Sequence, residues 1–162
     1  MAAADEPTIR PAREGDAEVL LGLIRELATY EKAPEMVRGS AELLHRALFE
    51  QRTAEALVVE AGGEAVGYAI FFTTFSTWEC RPGIWVEDIY VQPGHRRGGI
   101  GRALLARVAA IAVERGYPRL DWCALKWNRM ALDFYAGIGA VPLEEWQLLR
   151  LEGEPLRRLG GG

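Results

Sequence analysis

The sequence predicts a single α/β domain, built on a mixed, mostly antiparallel sheet of six or seven strands with helices on both faces. Its 162 residues suit one substantial core. Residues 84–125 have the pattern strand, helix, strand, which implies a parallel pair. Further strand-like segments lie on both sides of that unit. We expect the domain to span residues 1–162, with an ordered core over about 7–159.

The N-terminal half predicts three strands and two helices. Thr8–Pro11 is typical of a short strand, and Asp16 suits the N-cap of a helix whose apolar face runs from Val19 to Leu27. The other elements of this half are a helix capped by Ser40, a strand over 56–61, a Gly62–Gly63 hairpin turn and a return strand over 65–74.

The centre of the chain predicts a strand, a glycine-rich loop and a helix. Residues 84–91 are rich in β-branched and aromatic side chains, and Pro93 ends the pairing. Four glycines follow between residues 94 and 101. From Arg102 the apolar residues recur at helical spacing until Gly116, a suitable helix stop.

The C-terminal part predicts one more strand of the parallel pair and then a short helix. The strand covers 119–125, a loop covers 126–128, and the helix covers 130–136. Pro142 follows the glycines that end this helix, and a final pair of strands is expected around 146–151.

The glycine loop before the central helix has the chemistry of an anion site. A helix N-terminus offers unpaired N–H groups and the positive end of the dipole, which suit a phosphate. Residues 96–101 fit Arg-x-x-Gly-x-Gly, without the Gly-Lys-Ser/Thr of a P-loop and without GxGxxG. The alternative is a turn in which the glycines only permit tight packing of strand against helix.

Composition excludes several classes of function. The net charge of −4 gives no basic surface for nucleic acid, although a weakly acidic protein is compatible with a cationic substrate. Two cysteines and two histidines provide neither a disulfide framework nor a metal site. The sequence has no bilayer-spanning apolar run and no signal-peptide core. We therefore expect a cytoplasmic protein without metal, nucleic-acid or membrane partners.

The motifs taken together resemble a known family. Arg-x-x-Gly-x-Gly after Val91-Gln-Pro93, with Asn128 and Tyr135 further on, is similar to the GCN5-related N-acetyltransferase (GNAT) superfamily. Within it the chain most resembles the spermidine/spermine (diamine) acetyltransferase-like branch, and closest its thialysine N-epsilon-acetyltransferase members. The matching stretches are 26–31, 76–78, 86–91, 96–101, Trp127-Asn128, Phe134-Tyr135 and Gly153-Glu154. The resemblance implies acetyl transfer from acetyl-CoA to an amine, with coenzyme A as product, and a homodimer.

The resemblance also implies where acetyl-CoA binds. The loop amides would hold the pyrophosphate, and the central strand would bulge so that Ile89 and Val91 pair with the pantetheine chain. A backbone N–H there would stabilise the oxyanion. The expected cofactor-binding residues are Ile89, Tyr90, Val91, Arg96, Arg97, Gly98, Gly99, Ile100, Gly101, Arg102, Asn128 and Tyr135.

Glu87 is the candidate catalytic base. An alkyl ammonium with a pKa of about 10.4 must lose a proton before it reacts, and a nearby carboxylate can attract the cation and accept that proton. Strand alternation places Glu87 with Trp85, Ile89 and Val91, and points Asp88 to the other face. Asp88 is given no role. The alternative for Glu87 is a structural pairing with an arginine.

Tyr135 resembles the family's general acid, which protonates the departing thiolate. A phenol with a pKa of about 10 is a weaker acid than a thiol near 8.5, so hydrogen bonding to the thiolate is as plausible as full proton transfer. The alternative for Phe134-Tyr135 is a pair of core aromatics. Asn128 would bind the cofactor's amide chain; its alternative is a turn residue.

The amine is harder to predict than the reaction. Tyr30, Glu31, Trp78 and Glu87 are the expected substrate-binding residues, since aromatic faces and carboxylates favour a cation. Glu31 is otherwise a solvated helix end. Ser76, where polyamine-acting relatives tend to carry an acid, favours a lysine analogue or small diamine over spermine. Two other functions remain open: acetylation of protein amines, and sensing of acetyl-CoA without turnover.

Overall fold

A computed structural model describes residues 6–96 and 98–161. Backbone contacts divide the chain into two compact units, Met1–Cys123 and Ala124–Gly162. The strands are β1 (Thr8–Pro11), β2 (Glu55–Ala61), β3 (Glu64–Ser76), β4 (Arg81–Val91) and β5 (Leu120–Trp122). The helices are α1 (Ala17–Tyr30), α2 (Ala41–His45), α3 (Ile100–Glu114), α4 (Arg129–Gly137) and α5 (Gly153–Leu159). None of these helices is both long and apolar enough to cross a membrane.

The first unit contains a five-stranded sheet in the order β1-β2-β3-β4-β5. The first four strands pair antiparallel in sequence order, and β4 pairs parallel with β5 across the connecting helix α3. The mixed, mostly antiparallel α/β fold is therefore confirmed. The expected six or seven strands are too many, because the described residues form only these five.

Helices α1 and α3 cover the sheet. Leu20 and Leu23 of α1 pack in one buried cluster with Val58, Tyr68 and Tyr90. Strand residues that alternate with this cluster, such as Val59 and Phe71, are also buried. Their side chains project to the other face of the sheet. Helix α3 contacts β3 and β4 through its own buried side, which includes Leu104 and Val108. The core thus has two layers, one on each side of the sheet.

The second unit does not contain the predicted pair of strands. Residues 140–152 form turns and irregular backbone, with Trp146 N–H donating to Leu143 C=O at 3.1 Å. A short helix, α5, follows where none was predicted. The apolar pattern around 146–151 reports strand propensity, but a strand forms only where a neighbour supplies the ladder. The expected strands at 146–151 are therefore wrong for this structure.

Candidate active site

Strand β4 carries a bulge at Glu87. Val86 lies opposite Phe71 of β3, and Asp88 lies opposite Ile70, so the register leaves Glu87 without a partner residue. An extra residue of this kind bends a strand and re-aims its side chains. The bulge that the family resemblance implied is therefore present, and it lies at the predicted catalytic base.

The bulge also changes which residues share a face. Directly opposed residues of an antiparallel pair project to the same side, so Asp88 lies with Ile70 on the α1 face. Its carboxylate accepts a hydrogen bond from the Tyr68 hydroxyl at 3.2 Å. The expectation that Glu87 shares a face with Ile89 and Val91, with Asp88 opposite, is wrong. Simple alternation fails because the extra residue shifts the parity of everything after it.

Three carboxylates near this bulge interact electrostatically. Burial raises the pKa of Asp88 to about 6, with further contributions from the negative charges of Glu87 and Glu31. Burial, then Asp88, then Glu31 also raise the pKa of the fully buried Tyr68. Glu31 keeps solvent exposure, yet partial desolvation raises the pKa of its carboxyl. We call Glu31, Glu87 and Asp88 the acidic cluster.

No ion pair among the described residues neutralises the acidic cluster. The partner of Glu87 is an indole, since Trp85 Nε1 donates to Glu87 Oε2 at 2.9 Å. The alternative that Glu87 answers a structural arginine therefore has no support in the described part of the chain. The cluster concentrates negative charge at the bulge and is suited to attract a cation.

The strand edge beyond the bulge is open within the sheet. Pairing between β4 and β5 extends only to Val86 opposite Trp122. Gln92 N–H donates to Val66 C=O of β3. Because backbone groups alternate along a strand, the N–H and C=O groups of residues 90 and 88 also point to β3. The backbone groups of Ile89 and Val91 therefore point to the edge where no described strand continues. This edge offers the added-strand pairing that was expected for pantetheine.

The loop before α3 has the features of an anion site. Gly99 is the N-cap, and no side chain caps the helix, so the first N–H groups of α3 lack an intrahelical partner. Gly98 and Gly99 have positive φ and require glycine. Gly101 does not, and a Cβ there would meet no described atom within 4 Å. Packing against the described atoms therefore does not explain Gly101.

Arg96, one of the expected cofactor-binding residues, packs against two aromatic rings. Its guanidinium carbon lies 4.7 Å from the ring centroid of Tyr30 and 5.6 Å from that of Tyr90. Its Nε donates to Val91 C=O at 2.8 Å. Arg97, the other expected arginine ligand, lies outside the described residues. Arg102 is on the first turn of α3.

The structure does not assemble the expected amine cage within one chain. Tyr30 contacts Arg96 instead. Trp78 is 86% exposed in the β3–β4 turn, beyond Arg81 at the start of β4. Six residues separate Arg81 from Glu87, or about 20 Å at 3.3 Å per residue. Ser76 is buried at the same turn, where its Oγ accepts a hydrogen bond from Glu79 N–H.

The expected acid and cofactor amide ligand lie in the second unit. Asn128 is the N-cap of α4, and its Oδ1 accepts a hydrogen bond from Ala131 N–H at 3.2 Å. Tyr135 lies in the same helix, half-buried, with its ring 5.3 Å from that of Phe134. Asn128 therefore has a structural role as a helix cap. This role uses its side-chain oxygen, so the amide nitrogen can make another contact.

The sequence analysis missed two residues of the site: Asp88 was given no role, and Tyr68 was predicted only as part of a strand. Tyr90 was expected at the cofactor. Tyr90 is buried on the α1 face, where its hydroxyl donates to Glu26 Oε2 at 3.2 Å. Adjacent acids in an apolar strand were the signal available for Asp88, since such a pair is costly without a purpose.

Comparison with known proteins identifies the family of the chain. Residues 21–140 match the acetyltransferase (GNAT) family. The chain is 40% identical to the thialysine N-epsilon-acetyltransferase of Bos taurus and 41% to that of Sus scrofa, each over 94% of this chain and 96% of the relative.

Among solved structures, an integron cassette protein from the mobile metagenome of V. cholerae superposes with a TM-score of 0.79 at 25% identity. The alignment covers 96% of this chain and 98% of that one. The family match, the two relatives and the bulged strand with its glycine loop lead to one conclusion: the chain belongs to the acetyltransferase (GNAT) family and is an acetyltransferase.

Proposed function

We propose that this enzyme transfers the acetyl group of acetyl-CoA to a primary amine of a small molecule, a lysine-like amino acid such as thialysine or a diamine or polyamine. The observation that carries the proposal is the acidic cluster at the bulge of β4, which forms no ion pair with the described residues. An ammonium group is the natural partner for such a cluster. The transfer is direct, because the described residues include no nucleophile paired with a base that could form an acetyl-enzyme.

The described residues fit acetyl-CoA as the donor. The uncapped start of α3 suits its pyrophosphate, and the open Ile89–Val91 edge suits its pantetheine amides. The absence of a packing reason for Gly101 supports this assignment. Acetyl-CoA supplies the acetyl group as an activated thioester. The chain's part is to hold it along β4 and to present backbone N–H groups to the carbonyl oxygen.

The acidic cluster would bind the amine and remove its proton. Glu31 and Asp88 attract the ammonium, and Glu87, the more exposed carboxylate at the bulge, accepts the proton directly or through water. Asp88, with a pKa of about 6, is ionised at neutral pH and is the second candidate for that step. The Tyr68 hydrogen bond fixes the Asp88 carboxylate in place.

The family resemblance provides the proposed roles of Tyr135 and Asn128. Tyr135 would donate a hydrogen bond or a proton to the sulfur as the carbon–sulfur bond breaks. Asn128 would contact the pantetheine chain with its amide nitrogen, since its oxygen caps α4. The nitrogen gives up two protons as the carbon–nitrogen bond replaces the carbon–sulfur bond: one passes to Glu87 and on to solvent, and the other, lost after the attack, replaces the proton that Tyr135 gives to sulfur.

The amine class follows from the relatives together with one residue. The relatives named above are thialysine N-epsilon-acetyltransferases, and Ser76 is uncharged where an acid would favour a polyamine. We propose a lysine-like amine ahead of spermine, in a cytoplasmic homodimer.

The test is release of free thiol from acetyl-CoA with a panel of thialysine, lysine, ornithine, putrescine, spermidine and spermine. We expect turnover with one class of amine, led by thialysine, and none in the absence of amine. Absence of turnover with every amine, together with acetylation of protein substrates by mass spectrometry, would overturn the small-molecule assignment. Tight acetyl-CoA binding with no acetylated product at all would indicate a sensor.

A further inference from the structure

Arg96 connects three parts of the first unit. It follows β4 at the start of the glycine loop, yet its guanidinium lies against the Tyr30 ring at the end of α1. The Tyr90 ring of β4 lies on it as well, at 5.6 Å. A guanidinium against aromatic faces is stabilised by cation–π attraction, which is strongest where the group is shielded from water. Arg96 is half-buried in this setting.

The hydrogen bond of Arg96 fixes its direction. Nε donates to Val91 C=O, the last carbonyl of the open edge of β4. The side chain therefore folds back onto the strand from which the loop departs. A lysine keeps the charge but has neither the planar group for stacking nor a donor at the Nε position. The contacts seen here are specific to arginine.

A second set of contacts holds α1 against the same end of β4. Glu26 of α1 accepts hydrogen bonds from the Tyr90 hydroxyl at 3.2 Å and from Gln92 Nε2 at 3.1 and 3.2 Å. Tyr90 thus contacts both Glu26 and Arg96. The end of α1 and the start of the glycine loop are therefore packed through shared side chains.

This arrangement joins the two substrate regions of the proposed function. Tyr30 precedes Glu31, a member of the acidic cluster, while Arg96 opens the loop that precedes α3. We infer that Arg96 is a positioning residue: held by Tyr30, Tyr90 and Val91, it sets the loop for acetyl-CoA and couples the amine end of α1 to that loop. The inference rests on the proposed function for the identity of the two ligands.

The test is a double-mutant cycle on acetyl-CoA binding, measured by calorimetry without amine. We expect Arg96→Lys and Tyr30→Leu each to weaken binding about 10-fold, although Tyr30 lies on α1 and outside the loop. The double variant should bind no more weakly than the poorer single variant, because both changes break one contact. Tyr30→Phe keeps the ring and should restore wild-type affinity. Arg107→Lys, which changes an exposed arginine of α3, is the matched control.

Two further measurements distinguish a positioning role of Arg96 from loss of folding and from direct binding of Arg96 to phosphate. Urea denaturation should show each variant folded at the assay temperature, and kcat at saturating acetyl-CoA should stay within about threefold while its KM rises. Unchanged acetyl-CoA affinity in Tyr30→Leu, or multiplicative losses in the double variant, would overturn the inference. Because calorimetry needs no amine, absence of amine turnover would reject the proposed function without deciding this result.

Discussion

Two clusters of charged side chains lie in the first unit, and they differ in how their charges are balanced. In the first, Arg10 donates to Asp16 at 2.7 and 3.0 Å and to Glu60 at 2.6 Å. We call these three residues the balanced cluster. Hydrogen bonding to Arg10 lowers the pKa of Asp16. In the acidic cluster three carboxylates share no described cation, and the pKa of Asp88 rises to about 6.

The difference in charge balance distinguishes a cluster that stabilises the fold from one that serves function. An acid placed beside a guanidinium stabilises the fold in its ionised form, whereas an acid buried near other acids destabilises it. The balanced cluster joins β1, β2 and the turn before α1, which is a structural task. The acidic cluster accepts hydrogen bonds from Tyr68 and Trp85, but no cation among the described residues balances its charge. Carboxylates without a balancing cation are typical of ligand-binding and catalytic sites.

The largest expected effect concerns catalysis by the acidic cluster. Glu87→Gln removes the proposed proton acceptor without changing the side chain's size, and we expect kcat/KM for the amine to fall at least 100-fold. The matched control is Glu60→Gln in the balanced cluster, which should leave kcat/KM within about twofold. Thiol-release kinetics at pH 7.5 measure both. Equal activities would remove Glu87 from the mechanism.

A second prediction concerns the stability of the balanced cluster. Only 16% of the Arg10 side chain and 13% of that of Asp16 are exposed, so Arg10→Met leaves a mostly buried carboxylate unpaired. We expect a loss of about 2 kcal/mol in the free energy of unfolding at pH 7, between the values for surface and buried pairs. Urea denaturation provides the measurement. A change below about 0.5 kcal/mol would show that the pair does not stabilise the fold.

Asp88→Asn should have the opposite effect on stability. Asp88 ionises near pH 4 when unfolded and near pH 6 when folded, so the folded state binds more protons between these values. The free energy of unfolding therefore falls as the pH rises through this window. We expect Asp88→Asn to be about 1–2 kcal/mol more stable than wild type at pH 8 and about equally stable at pH 4. Urea denaturation at both pH values tests this, and a destabilised variant at pH 8 would contradict it.

Gly101→Ala compares stability with ligand binding at the proposed acetyl-CoA site. The position lies in the first turn of α3 with no described atom near the added methyl group, so the helix should gain up to about 0.5 kcal/mol. The methyl group should instead obstruct the ligand, and we expect acetyl-CoA to bind about 10-fold more weakly. Calorimetry and urea denaturation give the two numbers. Unchanged binding would indicate that the glycine serves only the backbone.

Much of the fold and part of the site were predictable from the sequence. The strands from β1 to β4 and helices α1, α3 and α4 follow local patterns, and all lie within a few residues of the predicted bounds. The positive φ of Gly98 and Gly99 also follows from residue type. These features were accessible because short-range chemistry determines them.

The rest depended on contacts between distant residues. Alternation placed Asp88 on the wrong face because a bulge is a property of the β3–β4 register and not of β4 alone. The contact of Arg96 with Tyr30 was not predicted, because Tyr30 lies 66 positions earlier in the chain. The strands expected around 146–151 failed because propensity does not supply a pairing neighbour.

The most direct test of the account is whether the acidic cluster binds the amine. Thialysine should be titrated by calorimetry, in the presence of saturating coenzyme A, into wild type, Glu31→Gln/Asp88→Asn and Glu60→Gln. The account predicts at least 30-fold weaker binding in the double variant and unchanged binding in Glu60→Gln. Equal affinity in wild type and the double variant would contradict it, because the amine would then be held elsewhere.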